Sequence, residues 1–255
     1  MNTITIFSPR TGSTILNEML SFHRKNIDLD EFVSGSIRNG TLTNYVKNIP
    51  VSIRNDLIQM LNVNNKFGID KNKIDYVLAL ENSWSAKCIP GYGLGGIADN
   101  LSRYFIETAL KQNTELFYTK RRDIKAQCWS MIMAGVRSRQ TKDKPNLAYV
   151  SLNVDSYPEI QPVYVDPIAA KTSIENIVSL SKEVNSLYDR FGGTMMVYED
   201  TIDRGDFSLC GISNNSVESY KKLKIRLKRP EPRYPEQHAI NWKEIDKLIE
   251  NNIQV

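Results

Sequence analysis

The sequence predicts an α/β protein built in three layers, with a mainly parallel central sheet flanked by helices. The main observation is alternation, because short apolar stretches typical of strands are separated by longer segments with helical periodicity. A second observation is the start of the chain, where an apolar stretch runs into a turn with one glycine and then directly into a helical pattern. Ligands of parallel sheets bind at the carboxyl ends of the strands, so this first turn is the first place to look for a site.

Each element in the first half of the chain has a local signal. A strand is predicted over 3–8 and a helix over 13–25, followed by a second helix over 51–62, since apolar residues recur at helical spacing in both helices. The next strand, over 85–89, ends at a Pro-Gly turn.

The second half continues the alternation. A Pro- and Tyr-containing stretch over 145–165 interrupts it and is predicted as a loop with a short hairpin. The long helix that follows begins after an Asp-Pro start signal. The predicted elements are a helix over 99–111, a strand over 115–120, and helices over 124–136 and 168–191, then a strand over 194–198 and a terminal helix over 241–250.

Composition limits the class of protein. The 255 residues are 41% hydrophobic, which is typical of a globular protein. The net charge of +4 is mildly basic and fits an anionic ligand as well as it fits nucleic acid. No run of 18 apolar residues is present, and no basic region precedes the short apolar start, so we expect neither a membrane span nor a signal peptide. Three widely spaced cysteines favour reduced thiols and a cytoplasmic protein. We predict one domain over 1–255, with 221–255 as a peripheral C-terminal extension.

The turn after the first strand has the chemistry of an anion cradle. Residues 8–14 read Ser-Pro-Arg-Thr-Gly-Ser-Thr. Backbone N–H groups converge at a helix start, and the helix dipole favours negative charge there. Arg10 adds a guanidinium suited to phosphate or sulfate oxygens. A nucleoside triphosphate P-loop would need a further glycine and a lysine after Gly12, both of which this loop lacks. The alternative is an ordinary helix N-cap.

A second polar motif lies about 110 residues later. Arg121 and Arg122 follow the end of the strand predicted over 115–120. Ser130 lies in the next helix, about two helical turns on, which brings its hydroxyl back towards the strand end. The alternative is a solvated basic helix start.

These motifs resemble those of sulfotransferases that use 3′-phosphoadenosine 5′-phosphosulfate. The loop over 9–14 is similar to their 5′-phosphosulfate loop, and Arg-Arg-Asp-x-x-x-Gln-x-x-Ser over 121–130 is similar to the 3′-phosphate element of bacterial trehalose-type members. Tyr-Glu-Asp over 198–200 resembles their Tyr-Glu-Asp-Leu segment, with Thr201 in place of leucine. The resemblance covers roughly 3–31 and 115–203, and a tryptophan expected near the end of the long helix is missing.

The resemblance implies a P-loop-like fold and a role for each matched residue. The 5′-phosphosulfate would be held by Arg10, Thr11, Gly12, Ser13 and Thr14. The 3′-phosphate would be held by Arg121 or Arg122 together with Ser130. No metal would be required.

Two further residue types complete the implied active site. Glu31 matches the glutamate that acts as general base on the acceptor hydroxyl, with Asp30 as the alternative; an exposed loop acid is the other interpretation. Lys87 lies on a strand where similar enzymes place a lysine near the transferred group, although a lysine at a strand edge would look the same. His23 is predicted to cap or pack the first helix.

The implied partner is a small-molecule or glycan acceptor, and the sequence does not predict an oligomeric state. Two other functions stay open. One is a kinase-like phosphotransferase. The other is a non-catalytic protein that binds an anion or nucleic acid, for which the basic run over 221–230 would serve, although we do not expect a nucleic-acid partner. The same run would also suit an edge strand or a segment that closes over the nucleotide.

Overall fold

The computed structural model describes residues 1–33, 70–90, 97–140, 162–223, 236 and 239–253. These residues belong to two compact units. The sheet unit comprises Met1–Lys120 and Leu180–Val217, and the helical unit comprises Arg121–Ser179 and Glu218–Val255. The single domain expected from the sequence stays a prediction.

The sheet unit contains a five-stranded sheet in which every neighbouring pair is parallel. Its spatial order is β2-β3-β1-β4-β5, so the first strand is central. Helices flank the sheet, and the predicted three-layer, P-loop-like α/β fold is therefore confirmed. The strands are β1 (Thr3–Phe7), β2 (Ile27–Asp30), β3 (Trp84–Cys88), β4 (Glu115–Lys120) and β5 (Thr194–Val197).

Seven α-helices lie within the described residues. The chain enters the helical unit before α4, and the boundaries between the units fall inside α5 and α6. The helices are α1 (Ser13–Arg24), α2 (Lys71–Leu78), α3 (Ile97–Leu110), α4 (Ile124–Gln140), α5 (Pro167–Phe191), α6 (Asn214–Leu223) and α7 (Trp242–Ile253).

Burial explains why β1 takes the central position. All five of its residues are buried, as expected for a strand with parallel neighbours and covered faces. Ile4 and Ile6 join a core that also holds an aromatic cluster, in which the Phe105 ring lies 5.6 Å from Trp84 and 5.2 Å from Phe32. The central strand is thus fixed rigidly, and the loop that follows it starts from a well-determined point.

The helical unit has its own core between α4, α5 and α7. Ile245 and Ile249 of α7 are fully buried in it, so the stretch predicted as a peripheral extension contributes to this core. Lys125 of α4 donates hydrogen bonds of 2.7 Å to Asp246 and to Glu250 of α7. The indole of Trp129 donates to the other oxygen of Asp246 at 3.0 Å. This α4–α7 contact fixes the helix that carries Ser130.

Most of the elements predicted within the described residues are present with ends shifted by a few residues. The strand predicted over 194–198 is one residue too long, because Tyr198 has a helical backbone and leads into the π-helical segment Glu199–Asp203. The sequence missed β2, α2 and α6. Residues 221–223 end α6, so for them the edge-strand interpretation of the basic run is wrong.

Several predictions fall outside the described residues. These are the helix over 51–62, most of the loop over 145–165, and residues 224–230 of the basic run.

Candidate active site

The loop between β1 and α1 has the predicted strand–turn–helix geometry. Arg10 and Gly12 both have left-handed backbone conformations, with φ of 69° and 77°. The first helical hydrogen bond runs from the Leu16 N–H to the Gly12 carbonyl at 3.1 Å, and no side chain caps the helix at Gly12. The N–H groups of the first turn of α1 are therefore directed at the mouth of the loop, where an anion would be stabilised.

Thr11 contributes to this loop through its backbone, because its side chain faces inward. The buried Thr11 hydroxyl donates to the Ser8 carbonyl at 2.8 Å and lies 2.6 Å from the Thr119 hydroxyl of β4. With the Thr11 proton used on Ser8, Thr119 donates the second bond. Because the hydroxyl forms both of these hydrogen bonds within the protein, it stabilises the loop.

Removing this hydroxyl should therefore cost stability. We expect Thr11→Val to lower the free energy of unfolding by about 1–3 kcal/mol, because the buried Ser8 carbonyl and Thr119 hydroxyl lose their partner. Thr11→Ser, which keeps the hydroxyl, should cost less than Thr11→Val. Urea unfolding measures the difference, and equal losses in both variants would contradict the inward role of the hydroxyl.

Gly12 packs against the segment that follows β5. A Cβ built on Gly12 would lie 2.7 Å from Cγ1 of Ile202 and 2.9 Å from Cδ2 of Tyr198. The Tyr-Glu-Asp motif thus begins with a ring that contacts the glycine of the cradle. Through this contact the Tyr198 ring supports the turn at Gly12.

Ser13 and Thr14 begin α1 but differ in exposure. Ser13 is buried, whereas Thr14 is exposed at the mouth of the loop. The Thr14 hydroxyl accepts a 2.9 Å hydrogen bond from the Lys87 ammonium. The strand β3 therefore supplies a lysine to the helix start, where the loop itself has none.

Lys87 occupies the centre of the site. It pairs with Thr5 in the β1–β3 register and is 5% exposed. Its Nζ lies 2.8 Å from Oδ1 of Asp30 and 3.9 Å from Oε2 of Glu31. Burial acts to lower the pKa of Lys87, but the nearby carboxylates, Asp30 first, outweigh it and the pKa is raised. The lysine is thus held as a cation at the carboxyl end of β3, which lies between β2 and β1 and is not an edge strand.

The two candidate bases are placed differently around this cation. Asp30 ends β2 with a left-handed φ of 47° and forms the close ion pair, while Glu31 follows it and lies farther from Nζ. Both side chains are only 13% exposed, so neither is the exposed loop acid that was the alternative interpretation. The geometry makes Asp30 the direct partner of Lys87.

Two residues of the site, Asn17 and Asp28, were not predicted from the sequence. Asn17 of α1 donates a 2.8 Å hydrogen bond to Oδ1 of Asp28, and both side chains are buried. A strand of only four residues that contains an acidic residue is hard to distinguish from a loop in the sequence alone. A signal was present in the alternation of acidic and apolar residues over 27–30, which fits a strand with one polar face.

The predicted 3′-phosphate residues lie in the helical unit. Arg121 and Arg122 immediately precede α4, whose start is capped by Asp123 through a 2.8 Å bond from the Ala126 N–H. Arg122 is exposed, while Arg121 and Ser130 are half-buried. The strand-end and helix positions expected for them are correct.

The nearby thiol is not a nucleophile at neutral pH. Burial raises the pKa of Cys88, the residue after Lys87, to about 12.

Within the described ranges, no group of three or more His, Cys, Asp or Glu side chains is arranged to hold a metal ion. In the same part of the chain, no helix is both long and apolar enough to cross a membrane.

Comparison with protein-family models finds no matching family, and comparison with curated proteins finds no matching relative. The fold and the described geometry define the class, a three-layer P-loop-like α/β protein.

Proposed function

We propose that this chain is a sulfotransferase that moves a sulfuryl group from 3′-phosphoadenosine 5′-phosphosulfate to an acceptor hydroxyl, by in-line transfer. The acceptor would be a carbohydrate or another small polar molecule. One observation carries the proposal: the Lys87 ammonium lies between the Thr14 hydroxyl at the anion cradle and the Asp30 carboxylate beside Glu31. The predicted anion cradle, a fixed cation and a pair of acids therefore lie together at the carboxyl ends of neighbouring strands.

The proposed step assigns a task to each part of this edge. A bond forms between the acceptor oxygen and sulfur, and the bond from sulfur to the phosphate-bridging oxygen breaks. Glu31 takes the acceptor proton, and adenosine 3′,5′-bisphosphate leaves with the electron pair. The loose transition state of such transfers places charge on the leaving oxygen, where Arg10 and the first amides of α1 would stabilise it.

Lys87 and Asp30 complete this assignment. A lysine that already donates to Thr14 is well placed to stabilise negative charge held at the helix start. Because Asp30 forms the close pair with Lys87, the more distant Glu31 is the better candidate for the base. Glu31 and Asp30 thus have separate roles in the proposal.

The 3′-phosphate would select this donor over ATP. We assign that phosphate to Arg121 or Arg122 with Ser130, on the basis of the sequence resemblance and their positions around the start of α4. The three cysteines are all free and buried, which supports a reducing compartment, and we propose the cytoplasm.

Binding measurements separate this proposal from a kinase-like phosphotransferase. We expect calorimetric titration to give a much lower Kd for adenosine 3′,5′-bisphosphate than for ATP, with no ATP turnover. A screen of radiolabelled sulfate transfer to sugars, lipids and tyrosine peptides should then identify the acceptor. No binding of the bisphosphate would refute the proposal, and ATP hydrolysis would favour the kinase alternative. Steeply salt-dependent binding to DNA or RNA without donor binding would favour the nucleic-acid alternative.

The assignment of Glu31 as the general base is tested by replacing it with glutamine. Glu31→Gln should lower kcat by about 100- to 10,000-fold, the usual contribution of a general base, while bisphosphate affinity stays unchanged. Full turnover in this variant with normal donor binding would contradict the role of Glu31.

A further inference from the structure

A buried carboxylate lies behind the proposed active site. Asp28, in the middle of β2, is 1% exposed. Its Oδ1 accepts two hydrogen bonds, from Nδ2 of Asn17 at 2.8 Å and from the backbone N–H of Asp30 at 2.9 Å. Burying a carboxylate in a sheet is costly, and an apolar side chain of similar size is often as stable or more so. The buried carboxyl group at this position therefore calls for a reason other than stability.

The strand is irregular at this point. In the pairing of β2 with β3, Asp28 is opposite Ser85 and Asp30 is opposite Ala86, so Leu29 is an extra residue. Such a bulge re-aims the side chains that follow it, because a shift of one residue moves them to the other face of a strand. The bond from the Asp30 N–H to the Asp28 side chain closes this bulge.

Asp30 needs this support because of its backbone. Its φ of 47° lies in the left-handed region, which is uncommon for a residue other than glycine. The left-handed conformation directs Asp30 to Lys87 at 2.8 Å, and Lys87 in turn donates to Thr14 at 2.9 Å. Thr14 and Asn17 are one turn apart on α1, so the contacts form a closed ring through α1, β2 and β3.

We infer that Asp28, held by Asn17, is a positioning residue that fixes the bulge and thereby orients Asp30 and Glu31 towards Lys87 on the acceptor side of the site. The catalytic consequence rests on the proposed function, whereas the orientation of Asp30 does not. Asp28 itself lies behind the reacting groups and acts through Asp30.

The test compares Asp28→Ala with Asp28→Asn. The alanine variant removes both hydrogen bonds, and the asparagine variant keeps an acceptor oxygen without the charge. We expect Asp28→Ala to lower kcat for sulfuryl transfer by about 10- to 100-fold, since misplacement by about 1 Å costs that much. The Kd for adenosine 3′,5′-bisphosphate should change less than about threefold, and Asp28→Asn should restore most of kcat.

A matched control comes from the amino end of the same sheet. Thr3→Val removes a buried 2.8 Å hydrogen bond to Ser85 and should lower stability while leaving kcat unchanged. A loss of kcat and bisphosphate affinity in the same proportion in Asp28→Ala, without rescue by Asp28→Asn, would overturn the inference. If Asp28→Ala does not fold, Asn17→Ala replaces it, with an expected loss in kcat of about threefold or more; unchanged kcat would then overturn the inference.

A crystallographic measurement separates this inference from the proposed function. In Asp28→Ala or its replacement, the 2.8 Å contact between Lys87 and Asp30 should be lost or lengthened, whether or not any activity is found. An unchanged contact with Asp30 still left-handed would overturn the positioning role. Absence of bisphosphate binding by the unmodified protein would instead refute the proposed function and leave the crystallographic result to decide the role of Asp28.

Discussion

Replacing Lys87 with methionine should lower kcat for sulfuryl transfer by about 100- to 1,000-fold, the usual effect of deleting one donor to a developing charge. The same change should lower the free energy of unfolding at neutral pH by about 3 kcal/mol, because the Asp30 carboxylate, which is only 13% exposed, loses the Lys87 ammonium. Methionine fills a similar volume, so a cavity adds little to the loss. Urea unfolding and steady-state kinetics measure the two effects.

The stabilisation that Lys87 provides should depend on pH in a defined direction. The pKa of Lys87 in the folded protein is raised above its ordinary value of 10.5. A raised pKa means that the folded state binds the proton more tightly than the unfolded state. The stabilisation is therefore complete below about 10.5 and is lost as the pH rises through the folded pKa. Lys87→Met should lack this alkaline step, and an identical alkaline profile in both proteins would contradict the pairing.

A surface lysine provides the control. Lys171 forms an ion pair with Glu175 at 3.8 Å, but both side chains are more than half exposed. Lys171→Met should cost no more than about 0.5 kcal/mol, as is usual for exposed pairs one helical turn apart. In the Lys87→Met background, Asp30→Asn should recover part of the lost stability, because it removes the carboxylate charge that the Lys87 ammonium no longer offsets. A loss in Lys171→Met equal to that in Lys87→Met would show that burial of the pair is unimportant.

The fold could be predicted because its signals are local. An apolar stretch over 3–8 and the helical spacing of apolar residues over 13–25 are each contained in a few residues, and the structure has β1 and α1 there. The short strand β2 was not predicted because the contacts that make it a strand are not local. It is a strand because Asp28 finds a partner in Asn17 and because β3 pairs beside it, and neither fact is visible within residues 27–30.

The same distinction applies to the candidate site. Residue types such as Arg10 and Gly12 predict an anion cradle because a turn and a helix start are local features. The partnership of Lys87 with Thr14 spans 73 residues, and that with Asp30 joins two different strands. The sequence could identify these residues only as separate candidates. The parallel order β2-β3-β1 brings them together at the carboxyl ends of neighbouring strands.

Gly12 is the second position at which a small change should have a large effect. We expect Gly12→Ala to weaken binding of adenosine 3′,5′-bisphosphate by at least about tenfold, corresponding to about 1.4 kcal/mol. Two costs combine, because a side chain in the left-handed region costs about 1–2 kcal/mol and the new Cβ also collides with its surroundings. The nearest atoms would be Ile202 Cγ1 at 2.7 Å and Tyr198 Cδ2 at 2.9 Å. Relief of the collision must move the helix start or the ring that supports it, and either movement displaces the amides that face the anion.

A second glycine separates the two costs. Gly211 has a φ of 70°, close to that of Gly12, but a Cβ there would meet no atom within 4 Å. Gly211→Ala should therefore lose only the backbone term of about 1–2 kcal/mol in stability and keep its bisphosphate affinity. Adding Ile202→Ala to Gly12→Ala removes the closest collision and should recover part of the lost affinity. Thermal unfolding and calorimetric titration of the four proteins measure these differences. If Gly12→Ala and Gly211→Ala lost stability equally and both kept their affinity, the contact of Gly12 with Tyr198 and Ile202 would have no part in shaping the cradle.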